Sequence, residues 1–201
     1  MRPGTDPLEP RFKILSQRHR RGTLFRARLC VPTNNATLSH YFFWLKNMRY
    51  WLMKSEPSDV SIDDLANLPN QSVAWYGVRN YQARNFMRDQ MHIGDGVLFY
   101  HSNCKEPGIT GIARVSSSAY PDAKQFDKNS KYFDPKATQE TPRWFNVDVQ
   151  LVKKTNLISL AELRNHPELE HMRTLQRGNR LSITPLDPAE WKFITGQLVR
   201  N

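Results

Sequence analysis

Cysteine is scarce in this chain. Its 201 residues hold only Cys30 and Cys104, which form no C-x-x-C pair. A disulfide framework is therefore not expected, and a reducing compartment fits: cytoplasmic, or nuclear in a eukaryote. Long apolar runs are missing too. No stretch approaches the roughly 20 apolar residues of a membrane span, and Tyr41-Phe42-Phe43-Trp44-Leu45 is too short, with no small-residue cleavage site after it. Catalytic signatures fail as well: there is no GxSxG, HExxH, P-loop or GxGxxG. The histidines (His19, His40, His92, His101, His166 and His171) never reach metal-ligand spacing with a carboxylate, so neither metal nor cofactor is expected. His101 and Cys104 straddle a strand end and a loop, which favours a solvent-facing thiol over a nucleophile pair. One constellation keeps an enzyme open. Lys54, Ser55 and Glu56 are consecutive at a strand end, where a lysine of lowered pKa, a hydroxyl and a carboxylate could hydrolyse an amide on a base. The competing reading is a salt-bridged turn.

Charge is present but uneven. The net charge of +10 suggests a polyanionic partner, yet residues 1–47 hold nine Lys/Arg against Asp6 and Glu9, a net of +7. Residues 48–201 carry 20 basic and 17 acidic residues, a net of only +3. A domain that gripped duplex mainly through phosphate neutralisation would be more basic. Residues 1–47 also hold Pro3, Pro7, Pro10 and Pro32 with little apolar periodicity. They read as a basic, disordered extension, with a nucleic-acid arm, an organelle presequence or a functionless leader before Met48 as the three accounts. The last is favoured, because Met48 immediately precedes the first convincing strand.

From there the chain alternates short strands and small helices. Arg49–Lys54 reads as a strand stopped by Pro57, and Ser61 with Asp64 as a capping box opening a short helix that Pro69 ends. Gly94-Asp95-Gly96 is a turn. Val97–Ser102 and Ile109–Val115 form a hairpin with a six-residue connection, and the small Gly111 and Ala113 mark a bend or a close approach. The periodless stretch from Tyr120 to Trp144 carries four aromatics that argue for packing over the body. Phe145–Leu151 alternates as a strand with one wet face. Ser159–Glu162 repeats the capping box, Arg180–Thr184 is a last strand, and Asp187-Pro188-Ala189-Glu190 opens a terminal helix with Trp191, Ile194 and Leu198 inward. The sum is an α+β, barrel-like domain.

The stretch Trp75-Tyr76-Gly77-Val78-Arg79-Asn80-Tyr81-Gln82-Ala83-Arg84-Asn85 stands out. Two aromatics precede a turn at Gly77, and Asn80 is placed to cap a helix whose face is Ala83, Phe86, Met87 and Met91. Arg84 and Arg88 share another face. Backbone N–H groups and a guanidinium beside an indole suit a nucleobase or a phosphate; the plainer reading is a strand-to-helix corner with Trp75 in the core.

That stretch, with Trp51–Pro57, Phe99–Cys104, Tyr120-Pro121-Asp122 and Arg180-Leu181-Ser182, resembles the signature blocks of the EVE domain, a PUA-like family, over essentially all of residues 49–198. The resemblance implies a PUA-like β pseudo-barrel flanked by short helices, and non-catalytic binding of modified nucleobases, notably modified cytosine in DNA. It points to a base extruded into a pocket walled by Trp75 and the strand ends around Tyr100 and Ser55. Val78 would supply a methyl-sized niche, Arg79 or Asn80 the edge contacts, and Arg84 and Arg88 a phosphate clamp. Lys54, Glu56, Gly77, His101, Ser102 and Ser182 complete the expected site. Tyr76 departs from the Asp that members often carry there, which puts base preference in question. The expected partner is DNA carrying modified bases, or RNA; no membrane is expected, and the chain reads as a monomer. Alternatives are an amidohydrolase for an acylated cytidine, built on Lys54 and Glu56, and an RNA-binding PUA-like module.

Overall fold

The computed structural model describes residues 48–200; the expectations for residues 1–47 fall outside them. Six strands form one mixed sheet, curled into half a barrel, in the order β2-β7-β4-β3-β1-β8. They are β1 (Tyr50–Ser55), β2 (Ser72–Ala74), β3 (Gly96–His101), β4 (Gly108–Val115), β7 (Asp148–Ser159) and β8 (Ile183–Leu186), and the short pair β5 (Tyr120–Pro121) and β6 (Phe145–Asn146) stands apart. All sheet neighbours are antiparallel except β1 and β3, which run parallel with Lys54 opposite Tyr100 and Ser55 opposite His101.

Local chemistry sets the helices. Ser61 and Asp64 form the reciprocal capping box of α1 (Ile62–Asn67), and Asp187 and Glu190 do the same for α4 (Pro188–Phe193). Asn80 accepts from the N–H groups of Gln82 and Ala83 and so starts α2 (Tyr81–Asn85), which widens into a π-helical turn, Phe86–Gln90. Ser159 caps α3 (Leu160–Arg164). Gly111 marks a close approach, since a Cβ there would lie 2.5 Å from Ile62 Cδ1. The acid of the Gly94–Gly96 turn, Asp95, is buried and accepts from Trp51 Nε1, Arg49 N and His92 N.

Two cores flank the sheet. Trp51, Met53, Val97 and Phe99 face one, with Trp75, Phe86 and Met87; Leu52, Leu98 and Tyr100 face the other, with Ile109, Ile158 and Leu163.

Three details depart from the sequence reading. The expected strand Phe145–Leu151 is two strands broken at Val147, one pairing with β5 and one with β2 and β4; the second continues to Ser159. The last strand begins at Ile183 rather than Arg180, although Ser182 still offers its carbonyl to Lys54 N. The stretch from Tyr120 to Trp144 does pack down, but through polar groups as much as aromatics. Gln125 is fully buried, donating to the carbonyls of Asp122 and Trp144 and accepting from the N–H groups of Arg143 and Trp144, whereas Phe133 is exposed.

Candidate functional site

A cavity of about 330 Å³ opens beyond the carboxyl ends of the parallel pair β1 and β3. Its walls are the end of β1, the turn after it, the corner from Val73 to Arg79, Ser102 beyond β3, Tyr132 from the long loop, and Arg180 and Ser182 ahead of β8. The strand ends are tied together there: Ser102 N donates to Ser55 O at 2.8 Å, and Lys54 N to Ser182 O at 2.8 Å.

Nine of the residues expected from sequence line this cavity: Lys54, Ser55, Glu56, Trp75, Gly77, Val78, Arg79, Ser102 and Ser182. Trp75 is both wall and core. It is 8% exposed, and its ring meets Phe99 edge-on at 5.5 Å. Ser55 Oγ donates to Val60 O at 2.7 Å and so holds the turn after β1. Lys54 projects toward the face carrying Tyr100, its ammonium 5.9 Å from that ring, and burial lowers its pKa. Glu56 is exposed. No hydrogen bond links the side chains of Lys54, Ser55 and Glu56 among the described residues.

Asn80, Tyr100 and His101 stand outside the lining. Asn80 is committed to its cap. Tyr100 packs in the core on the far face of the sheet. His101 Nε2 accepts the N–H of Ile62 at 3.0 Å and docks the start of α1; burial pushes its pKa down. Arg84 and Arg88 lie away from the cavity. Arg88 is bidentate to Asp89, at 2.7 and 2.9 Å.

Arg79 is pinned rather than free. Its guanidinium bonds Asp122 at 2.8 Å and the Tyr132 carbonyl, and lies over the rings of Tyr132 (5.2 Å) and Trp144 (5.3 Å). Asp122, whose side chain is 1% exposed, also accepts from Gly77 N and Lys124 N. This one carboxylate therefore clamps the corner to the long loop. The clamp brings Tyr132 down flat on Gly77, whose φ is +79° and whose absent Cβ would lie 2.6 Å from Tyr132 Cζ. Tyr76 meets Tyr132 edge-on at 6.1 Å, and Lys124 Nζ sits 3.4 Å from the centre of the Tyr76 ring. Lys131 reaches Asp59 across the rim at 3.4 Å.

Asp122, Tyr132, Asp59, Val60 and Arg180 were not among the expected site residues. Two of them sat in blocks already singled out, Tyr120-Pro121-Asp122 and Arg180-Leu181-Ser182. For Tyr132 the only signal was an aromatic in a loop too long to be idle. Among the described residues no cluster of His, Cys, Asp and Glu could hold a metal ion, and no helix is long and apolar enough to cross a membrane.

Comparison with known proteins places the family. The EVE domain model matches residues 49–197. Human thymocyte nuclear protein 1 is 46% identical over 169 residues, covering 75% of this chain and 74% of that one. A crystal structure of a Pseudomonas syringae protein superposes with a TM-score of 0.69 at 46% identity, covering 73% of this chain and 97% of its own. The human THYN1 protein in complex with DNA containing 5-methylcytosine superposes with a TM-score of 0.68 at 44% identity, covering 73% and 95%. The chain belongs to the EVE domain family.

Proposed function

We propose that this domain binds a single modified cytosine, extruded from a DNA strand into the cavity beyond β1 and β3, and performs no chemistry on it. The observation that carries the reading is the cavity itself. At about 330 Å³ it lies at the small end of ligand pockets, which run from about 300 to 1,000 Å³, a size for one base rather than a dinucleotide. Its lining combines aromatic surface (Trp75, Tyr76, Tyr132) with the hydroxyls of Ser102 and Ser182 and an apolar niche at Val78. The human THYN1 complex with 5-methylcytosine-containing DNA supports the same ligand class.

Extruding a base costs a few kcal/mol, and stacking returns about 1–3 kcal/mol. A site already built lowers the remaining cost. The Arg79–Asp122 clamp and the bonds of Arg79 to the Tyr132 carbonyl lie wholly within the protein, which lowers the ordering cost of binding. A methyl group on the base gains contact with Val78, which tips a marginal balance toward the modified form. The near-neutral charge of residues 48–201 disfavours broad RNA binding. Ser55 bonded to Val60 and Lys54 turned toward Tyr100 disfavour hydrolysis. Relatives named as nuclear proteins favour the nucleus as the compartment. Fluorescence anisotropy with single-stranded and duplex oligonucleotides, with and without 5-methylcytosine, tests the reading: tighter binding of the modified strand supports it, and equal, weak affinity for all overturns it.

A further inference from the structure

Beside the cavity wall runs a column of stacked rings flanked by guanidinium groups. Arg79, at the wall, lies over Trp144 at 5.3 Å. Tyr81 stacks on Trp144 with ring centres 5.0 Å apart and planes at 24°. Arg84 lies over Tyr81 at 5.0 Å and over Trp144 at 5.8 Å, and Arg143 lies over Tyr81 at 5.8 Å. Arg143 also donates to the Tyr81 hydroxyl, and Arg84 to the Arg143 carbonyl. Tyr81 is half exposed, so the column's outer end is open to solvent.

The charges along this column do not cancel. Arg79 has Asp122, Arg88 has Asp89, and Arg143 has Asp134 at 3.6 Å. Asp134 is itself shared, accepting the Trp144 indole N–H at 2.7 Å and the Lys136 N–H at 2.9 Å. Arg84 has no carboxylate at ion-pair distance among the described residues; its Nε is bonded to Asn85 Oδ1. Burial lowers the Arg84 pKa, and repulsion from Arg88 and Arg143 adds to the effect. Guanidinium groups gathered on π faces, with fewer acids than cations, form a ready anion contact.

We infer that Arg84 and Arg143, set on Tyr81, form a phosphodiester-binding site that grips the strand flanking the extruded base, while Arg88, neutralised by Asp89, takes no part. The inference rests on the base-binding reading and adds the backbone contact to it. The column links the two sites mechanically, because Trp144 touches both Arg79 at the cavity wall and Arg84 at the surface.

The test uses the full chain, a 5-methylcytosine-containing single-stranded oligonucleotide over a salt series, and free 5-methyldeoxycytidine, which carries no phosphate. Each phosphate contact adds close to one unit to the slope of log affinity against log salt, roughly 0.7 on a single strand. Arg143→Gln should lower that slope by about this amount and weaken oligonucleotide binding several-fold, with nucleoside affinity unchanged. Arg143→Lys should keep the slope, which separates charge from a folding defect, and Arg88→Gln should match the parent. A parental slope in Arg143→Gln overturns the inference, as does an equal loss in Arg88→Gln. If the nucleoside fails to bind while Arg143→Gln still flattens the slope, the base-binding reading falls and the phosphate site stands.

Discussion

Replacing Gly77 by alanine tests the roof of the cavity with the least chemistry added. Two penalties follow from the geometry. An L-residue at φ +79° costs about 1–2 kcal/mol. A Cβ 2.6–2.9 Å from three atoms of the Tyr132 ring forces that ring off its seat, a packing penalty of about 1–3 kcal/mol. Together they come to about 2–5 kcal/mol, which for a domain of this size lowers Tm by about 4–20 °C. The second penalty exists only while the ring is there. In a Tyr132→Ala background, Gly77→Ala should cost only the conformational part, so a double-mutant cycle should return a coupling of about 1–3 kcal/mol. Thermal and urea unfolding of the four proteins supply the data. If Gly77→Ala costs as much without the Tyr132 ring as with it, the seat described for Tyr132 is wrong. If Gly77→Ala melts with the parent, both penalties are.

Other consequences are separable from that one. Trp75→Ala should cost about 3–5 kcal/mol, because the indole is core as well as wall; Trp75→Phe should stay folded by thermal melt and still weaken 5-methylcytosine binding in titration, and unchanged affinity would move the stacking surface to Tyr76 or Tyr132. Asp122→Ala removes the acceptor shared by Arg79, Gly77 and Lys124 and should cost about 2–4 kcal/mol in denaturant unfolding. His101 must be neutral to accept the Ile62 N–H, and burial holds its folded pKa below the usual 6.5. Its stabilisation is therefore complete above that unfolded value and is lost as pH falls below it toward the folded one. A Tm-against-pH series from pH 8 to 5 should show this loss, and His101→Gln should flatten it.

Where structure is decided within a few residues, the sequence was a good guide. The caps at Ser61, Asn80 and Asp187 and the six-residue connection between β3 and β4 all stand where local hydrogen bonding puts them. The faces of β1 and β3 were harder to read. Both strands are covered on both sides, so their apolar residues run on without alternation, and nothing in the run says that Phe99 turns toward Trp75 while Tyr100 turns away. Arg79 was placed correctly at the corner, but its partners Asp122 and Tyr132 lie far along the chain. A side chain that looks free in sequence was already spoken for by groups that only tertiary structure delivers. The length of β7 was hidden for another reason: past Leu151 it carries Lys153, Lys154 and Thr155, polar residues that end the alternation yet sit on a wet strand.

The position of β1 between β3 and β8 has a consequence for how the chain reaches this state. The β3–β4 hairpin and the capped helices need only nearby residues and can form early. By contrast, β1 gains its second neighbour only when Met53 meets Ile183, near the end of the chain, and the same closure delivers Ser182 to the cavity wall. Bringing such distant segments together is slow, because chain entropy is lost before the contacts repay it. During synthesis the cavity is therefore completed only after Ser182 and β8 have left the ribosome, and a chain cut short before β8 would keep the hairpin and lose the pocket.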